Sequence, residues 1–203
     1  MPKRVESCSA VILAGGLGTR IGKNKALLSV QGATILDRAY TALRQIFSEI
    51  ILVSNEPLTY MAWDFMIVRD IYKLRSPLVG IHAGLFYASN PYVFIVGCDM
   101  PFLKITLIKT LLAEISPKYG ILLPKTADRV QPLCAVYAKK CIKHIEMLIE
   151  QKSLKISDLF SLVRVKEIEE SRLMSADPGL VSFFNINTPE DLDNAQQMEV
   201  EKK

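Results

Sequence analysis

The residues of this chain with the most chemistry to offer lie in one run, Leu13-Ala14-Gly15-Gly16-Leu17-Gly18-Thr19-Arg20-Ile21-Gly22-Lys23-Asn24-Lys25. Its glycines let backbone amides approach an anion closely, and Arg20, Lys23 and Lys25 add positive charge. A lone pair of glycines would read as simple turn geometry. Several glycines with three cations, directly after an apolar run, read instead as a phosphate cradle. Spacing excludes two common versions. A P-loop needs glycine where Leu17 stands and Ser or Thr where Asn24 stands, and a dinucleotide fingerprint starting at Gly16 needs Gly or Ala where Ile21 stands.

Three further polar residues follow apolar runs. Asp99 comes just after Val93-Phe94-Ile95-Val96-Gly97, where a hard carboxylate can hold Mg²⁺ beside substrate phosphates. It reads equally as the start of a turn with Pro101. Asn55 follows the run 50–54 and Asp70 follows Val68, and by type alone both are ordinary turn residues. Lys25 and Arg20 suit phosphate oxygens, Arg20 as a clamp that can engage two at once, although Lys25 taken alone reads as a solvated surface lysine. His82 and His144 have no partner at metal-ligand or catalytic spacing and read as structural or surface histidines.

Such groups need a scaffold. Apolar, β-branched runs at 10–13, 50–54, 66–68, 93–97, 120–123, 133–137 and 181–186 read as strands, and the first, second and fourth lack polar alternation, as strands buried on both faces do. Between them, Thr34 with Asp37 opens a helix in which Leu36, Ala39, Tyr40, Leu43, Ile46 and Phe47 recur at helical spacing. Runs 105–115 and 142–149 are helical, and Thr188-Pro189 with Asp191 starts another. Strands alternating with helices predict an α/β fold, a mostly parallel central sheet covered by helices on both faces. With no repeat, low-complexity tract or linker, residues 1–203 are expected to form one domain with a frayed tail at about 199–203.

Composition narrows the function. Half the chain is hydrophobic and its net charge is +4, with both signs interspersed, so no basic stripe with interleaved aromatics suggests nucleic acid. Four cysteines without a C-x-x-C pair, three of them in or beside apolar runs, read as reduced buried thiols. The start MPKRVESCSA does not read as a signal peptide, and no run is long enough to span a membrane, which makes the cytoplasm the expected location.

Written as L-A-G-G-x-G-x-R-x-G-x-x-K, the glycine loop resembles that of the nucleotidyltransferase superfamily that includes sugar-phosphate nucleotidyltransferases. The segments 76–85 (SPLVGIHAGL), 97–102 (GCDMPF) and 185–192 (NINTPEDL) make the chain most similar to the molybdenum cofactor guanylyltransferases, over nearly its whole length. The resemblance implies a three-layer α/β/α Rossmann-like nucleotidyltransferase fold. It also implies transfer of GMP from GTP to the terminal phosphate of molybdopterin, giving molybdopterin guanine dinucleotide and pyrophosphate. By the same resemblance Asp99 is the Mg²⁺ ligand, and Lys25 binds the triphosphate with Arg20 beside it. Gly16 and Gly18 belong to the cradle, Leu13, Ala14 and Gly15 lie against base and ribose, and Asn55 and Asp70 contact the nucleotide. Gln131, Asn185 and Asn187 resemble stretches near the acceptor, although asparagines before Thr188 also suit a helix entrance. GTP and molybdopterin would be the substrates, with transient contact to molybdopterin-supplying proteins and molybdoenzyme chaperones and no role for nucleic acid or membrane. A molybdopterin cytidylyltransferase or another small-molecule phosphate nucleotidyltransferase with a similar loop, and a non-catalytic nucleotide-binding module that delivers cofactor, are the alternatives.

Overall fold

The computed structural model describes residues 7–15, 24–127 and 129–198. In chain order its elements are β1 (Cys8–Leu13), β2 (Ser29–Val30), β3 (Ala33–Thr34), α1 (Ile35–Leu43), β4 (Ile50–Val53), β5 (Met66–Val68), α2 (Pro77–Tyr87), β6 (Tyr92–Gly97), α3 (Ile105–Leu112), β7 (Ile121–Pro124), β8 (Cys134–Ala138), α4 (Ile142–Glu150), α5 (Ile156–Phe160), β9 (Val165–Ile168), α6 (Glu170–Ala176) and α7 (Pro189–Gln197). Seven strands form one sheet in the order β5-β4-β1-β6-β8-β7-β9. Only β8 runs against its neighbours, so the sheet is mostly parallel.

The alternation of side chains along each strand builds two cores. Ala10, Ile12, Leu52, Phe94 and Val96 face α1, α3 and α6. Val11, Ile51, Val53, Val93 and Ile95 face α2, α4 and α5. Both faces are covered, which is why these strands carry no polar alternation. A smaller cluster of Leu28, Val30, Ile35, Phe102, Ile186 and Ala195 joins the β2–β3 ribbon to α7. The ribbon turns through Gln31 and Gly32 with positive φ at both, as a two-residue hairpin requires. Gln31 is held there by α7: its backbone N–H donates to Gln196 Oε1 at 2.8 Å, and its amide donates to the Met198 carbonyl at 2.6 Å.

Both predicted capping boxes form. The Thr34 hydroxyl accepts from the Asp37 amide, and Thr188 does the same for Asp191, with each carboxylate accepting in return from the cap backbone. The predicted strand at 181–186 is a correction. Pro178–Phe183 form a 3₁₀ segment in which Gly179 and Leu180 adopt positive φ, and extended coil follows. The buried Asp177 carboxylate accepts from the Ser182 amide, which holds this turn against the apolar pattern that suggested a strand. Sequence reading also passed over α2 and β9. α2 is packed between sheet and helix with eight consecutive residues buried, so it shows no polar face. β9 is an edge strand, Val-Lys-Glu-Ile, half charged.

Where α2 crosses β1 the backbones come very close. A Cβ on Gly84 would stand 2.7 Å from Val11 Cγ1, a branched side chain locked in a buried strand. Gly84→Ala is therefore expected to destabilise the fold by about 1–3 kcal/mol, as overpacking does. Urea unfolding should show a lower midpoint at unchanged slope, and an unchanged midpoint would contradict the packing described.

Candidate active site

β1 lies between β4 and β6, and the chain leaves it in opposite directions: β4 and β5 extend the sheet one way, β6 the other. In an open α/β sheet this reversal leaves a crevice at the carboxyl ends of the strands. Here the crevice is a cavity of about 310 Å³. Leu13 and Gly15 reach it from the end of β1, Asn55 from β4, Asp70 from β5, and Cys98 and Asp99 from β6. Lys25 and the first turn of α2 close it.

Main-chain bonds set the frame. The Leu13 carbonyl accepts from the Cys98 amide at 3.1 Å, and the Ala14 amide donates to the Val53 carbonyl at 2.9 Å. The segment after β1 is thus stitched to the ends of both neighbouring strands. Gly97 leaves room beside it for the Asp99 carboxylate, which a Cβ there would meet at 2.7 Å and displace. Gly80 plays the matching part on α2, where a Cβ would stand 3.3 Å from Leu13 Cδ2.

Two charged groups meet at the β1–β6 end. Lys25 Nζ donates to Asn187 Oδ1 at 2.7 Å and lies 3.8 Å from Asp99 Oδ2. Lys25 opens a short 3₁₀ turn capped by Asn24, whose Oδ1 accepts from the Ala26 amide while its Nδ2 donates to the buried Tyr60 hydroxyl. Burial pushes the Asp99 carboxyl above its ordinary pKa, and Lys25 opposes that shift. The lysine is too far from the carboxylate for a direct hydrogen bond, so Asp99 keeps acceptor capacity towards the cavity. Its neighbour Cys98 is pushed up to about 12 by burial and stays a neutral thiol.

At the other end, Asn55 and Asp70 pair. Asn55 Nδ2 donates to Asp70 Oδ2 at 2.7 Å, and the Asp70 amide donates back to Asn55 Oδ1 at 3.3 Å. Asp70 Oδ1 is buried without a partner among the described residues. Burial raises this carboxyl too, and the Asn55 bond works against the shift. The first turn of α2 offers few spare amides: Leu78 N–H goes to Ser76 Oγ, Val79 and Gly80 to the Ser76 carbonyl, and Pro77 has none.

Of the residues singled out from sequence, Leu13, Gly15, Lys25, Asn55, Asp70 and Asp99 line the cavity, and buried Ala14 lies between two of them. Gly16, Gly18 and Arg20 lie outside the described residues. Asn187 does not line the cavity but positions Lys25, and the Ile186 amide ties the same segment to the Asp99 carbonyl at 2.9 Å. Asn185 Oδ1 is buried without a partner among the described residues, and Gln131 is buried, its backbone N–H donating to the Pro124 carbonyl at the end of β7. Sequence reasoning missed Asn24 as a cap and Arg75 as a cation lining the cavity. A basic residue directly before Ser-Pro at a helix start was the available clue. His82 pairs with Glu146 at 3.2 Å, outside the cavity lining.

No cluster of three or more His, Cys, Asp or Glu side chains that could cage a metal occurs among the described residues. A lone carboxylate such as Asp99 suits a divalent ion that takes its other oxygens from water and phosphates. No helix among them is long and apolar enough to cross a membrane.

The family model described as a MobA-like NTP transferase domain matches residues 10–165. The chain is 39% identical, over 95% of its length and 96% of the relative's, to a molybdenum cofactor guanylyltransferase of Desulfosudis oleivorans. It superposes with TM-score 0.80 and 28% identity on molybdopterin-guanine dinucleotide biosynthesis protein A from Archaeoglobus fulgidus, covering 93% of this chain and 97% of that one. A 2-C-methyl-D-erythritol 4-phosphate cytidylyltransferase from Thermus thermophilus, 20% identical with TM-score 0.67 over 93% of this chain and 96% of that one, shares the fold.

The raised Asp70 carboxyl carries a sign. The folded chain holds this proton more tightly than the unfolded chain, so the group's contribution is present in acid. It is lost as pH rises from the ordinary 3.8 through the raised folded value. Asp70→Asn should remove that decline and be at least as stable as the parent at neutral pH. Denaturation midpoints across acid to neutral pH read this, and a variant less stable at neutral pH would contradict it.

Proposed function

Because the chain belongs to the MobA-like NTP transferase family, we propose that it is the enzyme that transfers GMP from GTP to the terminal phosphate of molybdopterin, releasing pyrophosphate. The observation that carries this reading is the meeting of Lys25 and Asp99 at 3.8 Å beside a cavity at the reversal of strand order. A phosphate oxygen of molybdopterin attacks the α-phosphorus of GTP in line. The new P–O bond forms as the bond to the bridging oxygen breaks, and its electron pair leaves with pyrophosphate. No protein nucleophile is required, because positioning and charge neutralisation dominate such a step.

Each residue then has a task. Lys25, held by Asn187, neutralises triphosphate charge, and Arg20 with the amides of Gly16 and Gly18 does so from the glycine loop. Asp99 would hold Mg²⁺, which would supply positive charge against that of the triphosphate. Leu13, Ala14 and Gly15 lie along base and ribose, with Asn55 and Asp70 contacting the nucleoside. Gln131, Asn185 and Asn187 stand on the acceptor side. The whole chain acts as one nucleotidyltransferase domain. Four free cysteines fit a reducing compartment, and the cytoplasm is where the reaction belongs.

Calorimetry with GTP, CTP, ATP and UTP in the presence of Mg²⁺ tests the site. The parent chain should select GTP, and Asp99→Ala should weaken that binding while leaving the fold intact. Preference for CTP would move the chain to cytidylyl transfer, and no nucleotide binding would refute the site. In turnover, Lys25→Ala should lower kcat by about 10²–10³-fold, the usual effect of deleting one transition-state donor. A change below about fivefold would remove Lys25 from the phosphate site.

A further inference from the structure

Arg75 lines the cavity and has no task in the reaction as set out above. It is exposed, and Asp70, the carboxylate nearest to it along the chain, bonds to Asn55 instead. Its guanidinium enters no ion pair within 4.0 Å among the described residues. Its place in the fold is informative. In the reaction proposed above the phosphates go to Lys25 and Asp99, which stand near the ends of β1 and β6. Asp70 follows β5, which is three strands from β6 in the sheet, or roughly 14 Å at the usual spacing between strands. Arg75 lies between Asp70 and Ser76, the cap of α2, and so belongs to the end of the cavity away from the phosphates.

That end would hold the base. A guanidinium presents a planar fork of donors, and the group it matches best on a nucleobase is the adjacent acceptor pair O6 and N7 of guanine. Asp70 Oδ1 supplies the opposite half, a buried acceptor with no partner among the described residues, suited to the N–H donors on guanine's other edge. Adenine would turn an amino group towards the guanidinium, and pyrimidines have no N7. We propose that Arg75 is a specificity-determining residue that reads guanine through O6 and N7, with Asp70 Oδ1 accepting from the N1 and N2 hydrogens. This rests on the reading of GTP as the donor nucleotide.

The test is binding of GTP, 7-deaza-GTP and CTP, each with Mg²⁺, to the intact parent chain, Arg75→Ala and Arg75→Lys. The lysine variant keeps the charge and loses the fork. The parent is expected to prefer GTP over 7-deaza-GTP by about tenfold, the scale of a bidentate base contact. Both variants should bring that ratio near one by losing GTP affinity. If both variants bind the two nucleotides with the parent's ratio, or if only the alanine variant weakens and does so equally for both, Arg75 serves phosphate or nothing, and this inference falls alone. A parent chain that prefers CTP overturns the inference together with the donor assignment.

Discussion

Everything at the site depends on the hydrogen bonding of β1 to β4 on one side and β6 on the other. Buried on both faces, β1 cannot shift by one residue without moving Ala10 and Ile12 into the core that Val11 occupies. Its register therefore fixes where its last residues emerge. The Leu13 carbonyl bonded to Cys98 and the Ala14 amide bonded to Val53 carry that registration past the strand end. Asp99 and Asn55 follow within two residues of these bonded positions, so their place relative to the end of β1 is set by the sheet. α2 completes the frame by packing Gly84 onto Val11 and Gly80 onto Leu13, contacts that tolerate little added volume.

On this frame the charges are arranged in two pairs with different characters. Lys25 and Asp99 stand close but not in direct hydrogen-bond contact, which leaves both with capacity for a third party carrying opposite charges, such as a metal-bound triphosphate. Asn55 and Asp70 are bonded to each other, with one carboxylate oxygen left over. Both carboxyls are raised by burial, so each costs the fold some stability at neutral pH. Such strain at a cavity is what a ligand relieves when it brings donors or a cation.

The sequence was most legible where local rules decide. The buried strands and the two capping boxes could each be read from a few adjacent residues, and Asp99 could be placed at the carboxyl end of a strand because the apolar run before it is so long. What escaped depends on contacts distant in sequence. α2 lost its periodic signature by being buried on all sides. The stretch 181–186 reads as a strand until the Asp177 carboxylate captures the Ser182 amide. Asn187 matters through Lys25, far from it in the chain, and Arg75 acquires a task only once β5 and α2 bring it to the cavity.

The central claim is that this cavity turns over GTP with a phosphate acceptor. The most direct measurement incubates the chain with Mg²⁺, GTP and molybdopterin and follows pyrophosphate release alongside mass spectrometry of the pterin product. The account predicts molybdopterin guanine dinucleotide and one pyrophosphate for each molecule formed. Product formed from CTP but not GTP, or pyrophosphate released without any dinucleotide, would contradict it.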